Sequence, residues 1–309
     1  MEVENVFGEL EEVKQEIFRG KVTNFQIAEH PSRFKGAGFE IHTTNRWRPG
    51  EPLSNVDWNL SLRTWPKEIY KIDRIETRNA PVIIMADVSS SIFVEIDRSV
   101  SRFRLLLHLL GGLGFTANYF HDPVGVVAVS GGVEFYLRPR LGQGQILFAA
   151  KLLLEQSEKF EKEKERAATK KSGLNSALEM LLSALRRQCS IVILSDFNSE
   201  INGELEIDFK MVETLSALHH WNVLAIFLDD PLEFAWRSGS GVVKVKNVET
   251  GQIEKVKASR AEQIRQDFTE KREILRQRLA KAGVDSTVLS FGDHFNQLSQ
   301  FLSERRATR

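Results

Sequence analysis

Cysteine is almost absent: the chain of 309 residues has one, Cys189, at the mouth of the apolar run "CSIVIL". One thiol cannot close an intramolecular disulfide or build a cysteine-ligated zinc site, and such sparing use points to a reducing, cytoplasmic setting. An excess of charge of either sign is lacking too, with 42 Lys+Arg against 42 Asp+Glu. Without a basic surplus to displace counterions from phosphates, nucleic acid is not an expected partner. Long hydrophobic runs are also missing. No window reaches the roughly eighteen uninterrupted apolar residues of a membrane span. The most apolar stretch, "FRLLLHLLGGLGF", carries Arg104, His108 and three glycines and reads as a core helix. The opening "MEVENVFGELEEVKQEIF" is acidic and amphipathic, unlike the basic-then-apolar start of a secretory signal. Internal repeats and extended low-complexity segments are absent as well.

What is present is a set of continuous apolar runs, "PVIIMA" (81–86), "VGVVAV" (124–129), "SIVILS" (190–195) and "NVLAIFL" (222–228), separated by stretches apolar at helical spacing. Runs of this length without polar alternation suit strands buried on both faces, as in the parallel sheet of an α/β fold. Gly131-Gly132, between "VGVVAVS" and "VEFYLRP", is a two-residue hairpin signal. It predicts a strand antiparallel to the second run, at the sheet edge. Helices are expected at "QILFAAKLLLEQSEKF" and "LNSALEMLLSALRR", joined by the charged "EKEKERAATKKSG", which reads as a solvated extension and loop.

Residues 31–80 look different. Tryptophan, glycine and proline are dense, helical periodicity is absent, and "FEIHTT" and "EIYKIDRIET" read as strands. The chain thus divides into an N-terminal helical or extended lead-in (1–30), a small antiparallel β layer (31–80) and an α/β domain (81–309). A β-hairpin near 240–258, turning at Thr250-Gly251, interrupts the last. A helix from about Ala258 to Ala282, a strand "STVLSF" and a helix "FNQLSQFLSERR" complete the expectation.

In open parallel sheets ligands bind beyond the carboxyl ends of the strands, at the topological switch point. There, in "PVIIMADVSSSIF", the first run ends in Asp87, Ser89 and Ser91. Alternate spacing through a tight turn can aim one carboxylate and two hydroxyls at one point. An oxygen-only set suits hard divalent cations, and Mg²⁺ prefers near-octahedral ligands at about 2.0–2.1 Å. Asp196 ends "SIVILSD", and Ser172 precedes a helix in "KKSGLNSALEML", so the same edge would bring both close. The plain alternative makes the aspartates strand-end turn residues and the serines helix caps. For the five residues in this order, the cation is the better reading.

Asp-x-Ser-x-Ser after a strand, a later hydroxyl before a helix and an aspartate after a later strand resemble the metal-ion-dependent adhesion site (MIDAS) of von Willebrand factor A domains. The upstream block narrows the likeness. From Arg33 to Ser91 the sequence resembles the bacterial domain of unknown function 58 family, through Gly36, Gly38, Arg46, Gly50, Asp57, Trp58, Arg63, Thr64, Lys71 and Glu76. "DDPLE" (229–233) looks like the family's strand-end Asp-Pro-x-Glu. There are departures: Phe39 directly follows Gly38, Trp47 stands in a tyrosine region, Glu51 replaces an aspartate, Ile92 a methionine, and Ser172 the usual threonine of von Willebrand domains. Serine keeps the hydroxyl but loses the methyl that stiffens the rotamer, which bears on cation affinity. Many family members carry two N-terminal membrane helices, and no stretch here reads as one.

The resemblance implies a von Willebrand factor A-like, Rossmann-like fold: a mostly parallel sheet with one antiparallel edge strand, flanked by helices. It implies Mg²⁺, or Mn²⁺ or Ca²⁺, held by Asp87, Ser89, Ser91, Ser172 and Asp196, with a coordination position left open for a partner's carboxylate. Family members are encoded beside MoxR-type AAA+ ATPases. The expectation is therefore a non-enzymatic, metal-dependent protein-interaction module partnering such an ATPase in chaperone-like or complex-maturation work. The rival is a Mg²⁺-dependent haloacid-dehalogenase-like phosphohydrolase using Asp87 as nucleophile. That chemistry wants a general acid two residues on, where Ser89 stands, although "LDDP" supplies a tempting acidic pair, Asp229-Asp230.

Weaker signals have plainer readings. "LGQGQ" lacks the Lys-Ser/Thr of a phosphate loop, and "SGSG" lacks nucleophile-elbow spacing. His219-His220 suits a helix end or the surface. Trp47, Trp58 and Trp65 are expected in a β-layer core, and Arg46, Arg48 and Arg63 either face an anionic partner or pair with Asp57 or Glu76.

Overall fold

A computed structural model describes residues 3–19, 25–27, 35–36, 40–51, 53–64, 68–75, 80–94, 101–162, 173–185, 188–203, 206–217, 221–233, 241–246 and 253–308. The chain divides into two units, residues 1–28 with 80–309, and residues 29–79.

The larger unit is built on a six-stranded sheet. Its strands are β4 (Val82–Asp87), β5 (Val124–Val129), β6 (Val133–Arg140), β7 (Ser190–Ser195), β8 (Asn222–Asp229) and β11 (Asp285–Ser290), in the order β11-β8-β7-β4-β5-β6. Every neighbouring pair is parallel except β5 with the edge strand β6. The apolar runs are buried on both faces, and alternate residues feed two cores. Val82, Ile84, Ala86, Val192, Leu194, Leu224 and Ile226 face one, while Ile83, Met85, Ile191, Ile193, Val223 and Ala225 face the other. Each Val, Leu, Ile or Met side chain among them contributes about 1.5–3 kcal/mol when fully buried, which is why long unalternating runs become central strands.

On the first face lie α1 (Val3–Arg19), α3 (Arg102–Tyr119), α4 (Gln143–Lys162) and α9 (His294–Thr308). Residues from α5 (Gly173–Ala184), α6 (Asn198–Ile201), α7 (Phe209–Ala217) and α8 (Ala261–Lys281) enter the second core. The sequence reading set residues 1–30 apart, whereas α1 packs on α3 through Val6, Leu10, Val13 and Ile17 and belongs to the sheet's unit. Glycine makes this approach possible: a Cβ at Gly111 would lie 2.6 Å from Leu10 Cδ2, and one at Gly112 would lie 3.0 Å from Ile17 Cδ1. Strands β9 (Val242–Lys246) and β10 (Ile253–Lys257) pair antiparallel between β8 and α8; the Thr250-Gly251 turn lies outside the described residues. So do the "EKERAATKK" joint, residues 238–240 of "SGSG" and His219-His220. No helix, among the described residues, is long and apolar enough to cross a membrane.

The smaller unit holds a three-stranded antiparallel sheet, β1 (Lys35–Gly36), β3 (Tyr70–Ile75) and β2 (Glu40–Arg46), in the order β1-β3-β2. It also holds a helix, α2 (Trp58–Thr64), where the sequence shows no helical periodicity. The reason is local. Asp57 Oδ1 accepts from Leu60 N–H at 3.0 Å and starts the helix, and seven residues are too few for an apolar stripe to register. Trp58 is 54% exposed, against the expectation of a core tryptophan, and Trp65 lies outside the described residues. Arg46 pairs with Glu68, and Glu76 lies outside the described residues.

Candidate functional site

Strand order sets the place. The chain leaves β4 for β5 on one side and later returns to β7 on the other, so the crevice at the carboxyl ends of β4 and β7 is a topological switch point. Asp87 is the last residue of β4, and Asp196 follows the last residue of β7. Both are buried. Three of the five sequence-derived candidates share one turn: Ser89 N–H donates to Asp87 Oδ1 at 2.8 Å, and the Ser89 and Ser91 hydroxyls share a hydrogen bond at 3.1 Å. The neighbouring Ser90–Phe93 segment is a 3₁₀ turn with Ser89 at its N-terminal boundary, yet the Ser89 hydroxyl makes no capping bond. The simple cap reading of that serine is therefore not what the turn does.

The fourth, Asp196, reaches the same crevice. Its Oδ1 accepts from Asn198 N–H at 3.1 Å and its Oδ2 from Asn198 Nδ2 at 2.9 Å. The fifth, Ser172, lies outside the described residues. Its neighbour Gly173 opens α5 so close to the end of β5 that a Cβ there would meet the Ser130 carbonyl oxygen at 2.2 Å. The N-terminus of α5 is thereby pressed onto the same carboxyl edge of the sheet.

Further groups belong to the neighbourhood: Ser195 and Arg102 were not singled out in the sequence, whereas Asp229, Asp230 and Glu233 were noted there in "DDPLE" without being placed in the cation set. Ser195 donates its hydroxyl to Asp87 Oδ2 at 2.5 Å and accepts from Phe197 N–H at 2.9 Å. Arg102, the first residue of α3 and buried, sends one Nη to the Ser91 carbonyl at 3.3 Å and to within 3.5 Å of Asp196 Oδ2. Its other Nη pairs with Glu233. Asp230 is buried beyond β8, its Oδ1 accepting from Leu232 N–H at 2.9 Å, while Asp229 pairs with Arg272 at 2.7 Å. Ser195 could have been suspected as the polar end of "SIVILS", and Arg102 as one of two arginines, with Arg104, on the first turn of a largely apolar helix.

The electrostatics are one-sided. Asp196, Glu233, Asp230 and Asp229 all act on the one guanidinium of Arg102. Burial, and then the neighbouring Asp196 charge, pushes the Asp87 carboxyl up to about 7, against the opposing hydrogen bonds from Ser195 and Ser89. Burial raises Glu233 as well, despite Arg102 beside it. Burial disfavours the Arg102 charge, yet Asp196, Glu233, Asp230 and Asp229 outweigh it and hold its pKa above the ordinary value. Uncompensated carboxylate charge next to paired hydroxyls, with oxygen as the donor type, fits a hard divalent cation. Among the described residues no group of three or more His, Cys, Asp or Glu side chains could hold a metal alone. A cation here would therefore need Ser89 and Ser91 as well as the aspartates.

No curated protein matches the chain. Residues 44–278 match the model of the family described as protein of unknown function DUF58, and with most of its length matched the chain belongs to that family.

Proposed function

We propose that the larger unit is a von Willebrand factor A-like domain whose MIDAS-type site binds Mg²⁺, or Mn²⁺ or Ca²⁺, and recognises a carboxylate on a protein partner. The observation that carries this is the buried Asp87, charge-starved beside Asp196 and the linked Ser89 and Ser91 hydroxyls, at the sheet's switch point. Asp87 and Asp196 would hold the ion with the serines, Ser172 included. Backbone and hydroxyl donors at Ser89 and Ser195 fix the Asp87 rotamer in advance. When bound, the ion supplies a Lewis-acidic position for an Asp or Glu of the partner. The antiparallel edge strand β6 supports the fold assignment. The family resemblance supports a MoxR-type AAA+ ATPase as the partner, in cytoplasmic chaperone-like or complex-maturation work.

Calorimetric titration of Mg²⁺ and Mn²⁺ into metal-free protein, wild type against Asp87→Ala, tests the site, with hydrolysis of generic phosphoesters followed on the same samples. Binding lost in the variant, with no turnover, is expected. Turnover dependent on Asp87 would instead establish the phosphohydrolase, and unchanged binding in Asp87→Ala would remove the site from this crevice.

A further inference from the structure

We infer that Arg102 is an internal competitor for the cation: its guanidinium takes the electrostatic place of a divalent ion between Asp196 and Glu233, and loading the site requires it to give way. The inference rests on the reading of Asp87 and Asp196 as cation ligands.

The side chain links three separate segments. From the first turn of α3, just after the Ser101 cap, it reaches the Ser91 carbonyl after β4, Asp196 after β7 and Glu233 in the turn after β8. The first two are the strand ends that would surround the ion. Its Nε is buried and finds no hydrogen-bond partner among the described residues. An arginine whose main task was to knit the three loops together would satisfy its nitrogens, because a buried orphan donor carries a desolvation cost. Arg102 is held instead by the sum of carboxylate charges around it.

A guanidinium and a divalent ion cannot share Asp196 freely. Oδ2 of Asp196 already accepts from Asn198 and lies within 3.5 Å of Arg102. An ion arriving there meets a like charge a few ångströms away in a crevice where water screens poorly. Glu233 is the reason the arginine can move: part-exposed and on a turn rather than a strand, it can keep its partner once Asp196 has exchanged guanidinium for metal. The consequence is a site that stays ordered without metal and binds metal more weakly than its carboxylates alone would.

Electron paramagnetic resonance of free Mn²⁺ in titrations of wild type, Arg102→Gln, Arg102→Lys and Asp87→Ala tests this, with circular dichroism melts on the same samples. Arg102→Gln is expected to bind Mn²⁺ at least about tenfold more tightly than wild type, the size of a like-charge repulsion removed at short range. Arg102→Lys, which keeps a charge but cannot span Asp196 and Glu233 with one planar fork, is expected to gain about threefold. It decides the matter if the glutamine variant does not fold. Tighter binding in either variant while Asp87→Ala binds nothing supports the competitor, as does Mn²⁺ binding seen only once Arg102 is replaced. Wild-type or weaker binding in both Arg102 variants, with Asp87→Ala still inactive, overturns the competitor and leaves the site standing. Mn²⁺ binding absent from all proteins, or intact in Asp87→Ala, overturns the site and the competitor together.

Discussion

The Ser195 hydroxyl and the Asp87 carboxylate meet across adjacent parallel strands at 2.5 Å, each at the carboxyl end of its strand. Register makes the meeting obligatory. Ala86 lies opposite Leu194, so the next residue on each strand projects into the same crevice. Packed strands, rather than a loop, therefore aim the key carboxylate.

That placement works against stability. The folded-state pKa of Asp87, about 7, lies above the ordinary 3.8, so the folded protein binds the extra proton across that range. The contribution is fully present below 3.8 and is lost as pH rises through 7. Asp87→Asn is accordingly expected to stabilise the metal-free protein at pH 8, by about 2 kcal/mol after allowance for an amide facing donors, with little effect at pH 4. The same change is expected to remove the proposed cation binding. Thermal melts at the two pH values check the first part, and a variant less stable at pH 8 would show that Asp87 is comfortably ionised.

Gly173→Ala tests how the α5 end of the crevice is set. A Cβ at this position would overlap the Ser130 carbonyl at 2.2 Å, and backbone cannot swing aside as a flexible side chain does. The expected cost is about 2–3 kcal/mol, read as a lower urea midpoint, together with weaker Mn²⁺ binding as α5 retreats from the sheet edge.

Legibility in the sequence followed the strength of the local signal. β4, β5, β7 and β8 announced themselves because both their faces are buried, and Gly131-Gly132 announced the antiparallel edge because such a turn joins β-hairpin strands. Asp87, Ser89 and Ser91 were visible because one turn holds all three. Arg102 was not, because its role comes from partners 94 and 131 residues away along the chain, Asp196 and Glu233. α2 was hidden by its shortness, and the attachment of α1 to the larger unit by its dependence on Gly111 and Gly112, which look like helix weaknesses until Leu10 and Ile17 are seen filling them.

Acid is expected to act through His294. Its ring packs among Phe291, Phe295 and His108, Nδ1 accepts from Gly292 N–H at 3.3 Å, and Nε2 is buried with no partner among the described residues. Burial, and then His108, pushes its pKa down to about 4, with Asp293 opposing. His108 is lowered by burial despite the Glu9 bond, with Arg104 and Glu12 nearby. A depressed histidine contributes stability that is whole above about 6.5 and is lost as pH falls to about 4, by up to about 3 kcal/mol. Asp87 titrates in the opposite sense over much of this window, so wild type alone will show a shallow profile. His294→Phe, which suits the aromatic cluster, is expected to lose less stability than wild type between pH 7 and pH 5 in denaturant titrations. A parallel pair of profiles would exclude His294.

On α2, two neighbouring positions are expected to behave oppositely. Leu62, 68% exposed, sits one turn from Trp58, and neither fills a core. Leu62→Ser and Trp58→Ala should leave urea-unfolding stability within about 0.5 kcal/mol of wild type. Ser61 is buried, accepts from Tyr70 N–H at 2.8 Å and donates to the Tyr70 carbonyl at 3.3 Å, so it pins the helix to β3. Ser61→Ala leaves that backbone donor unpaired and should cost about 1–3 kcal/mol. Because residues 29–79 form their own unit, the loss should appear in probes of that unit, for which Trp58 fluorescence is placed on the same helix. A Ser61→Ala protein as stable as wild type by that probe would mean the Tyr70 backbone finds another partner and the helix is held by the chain on either side of it.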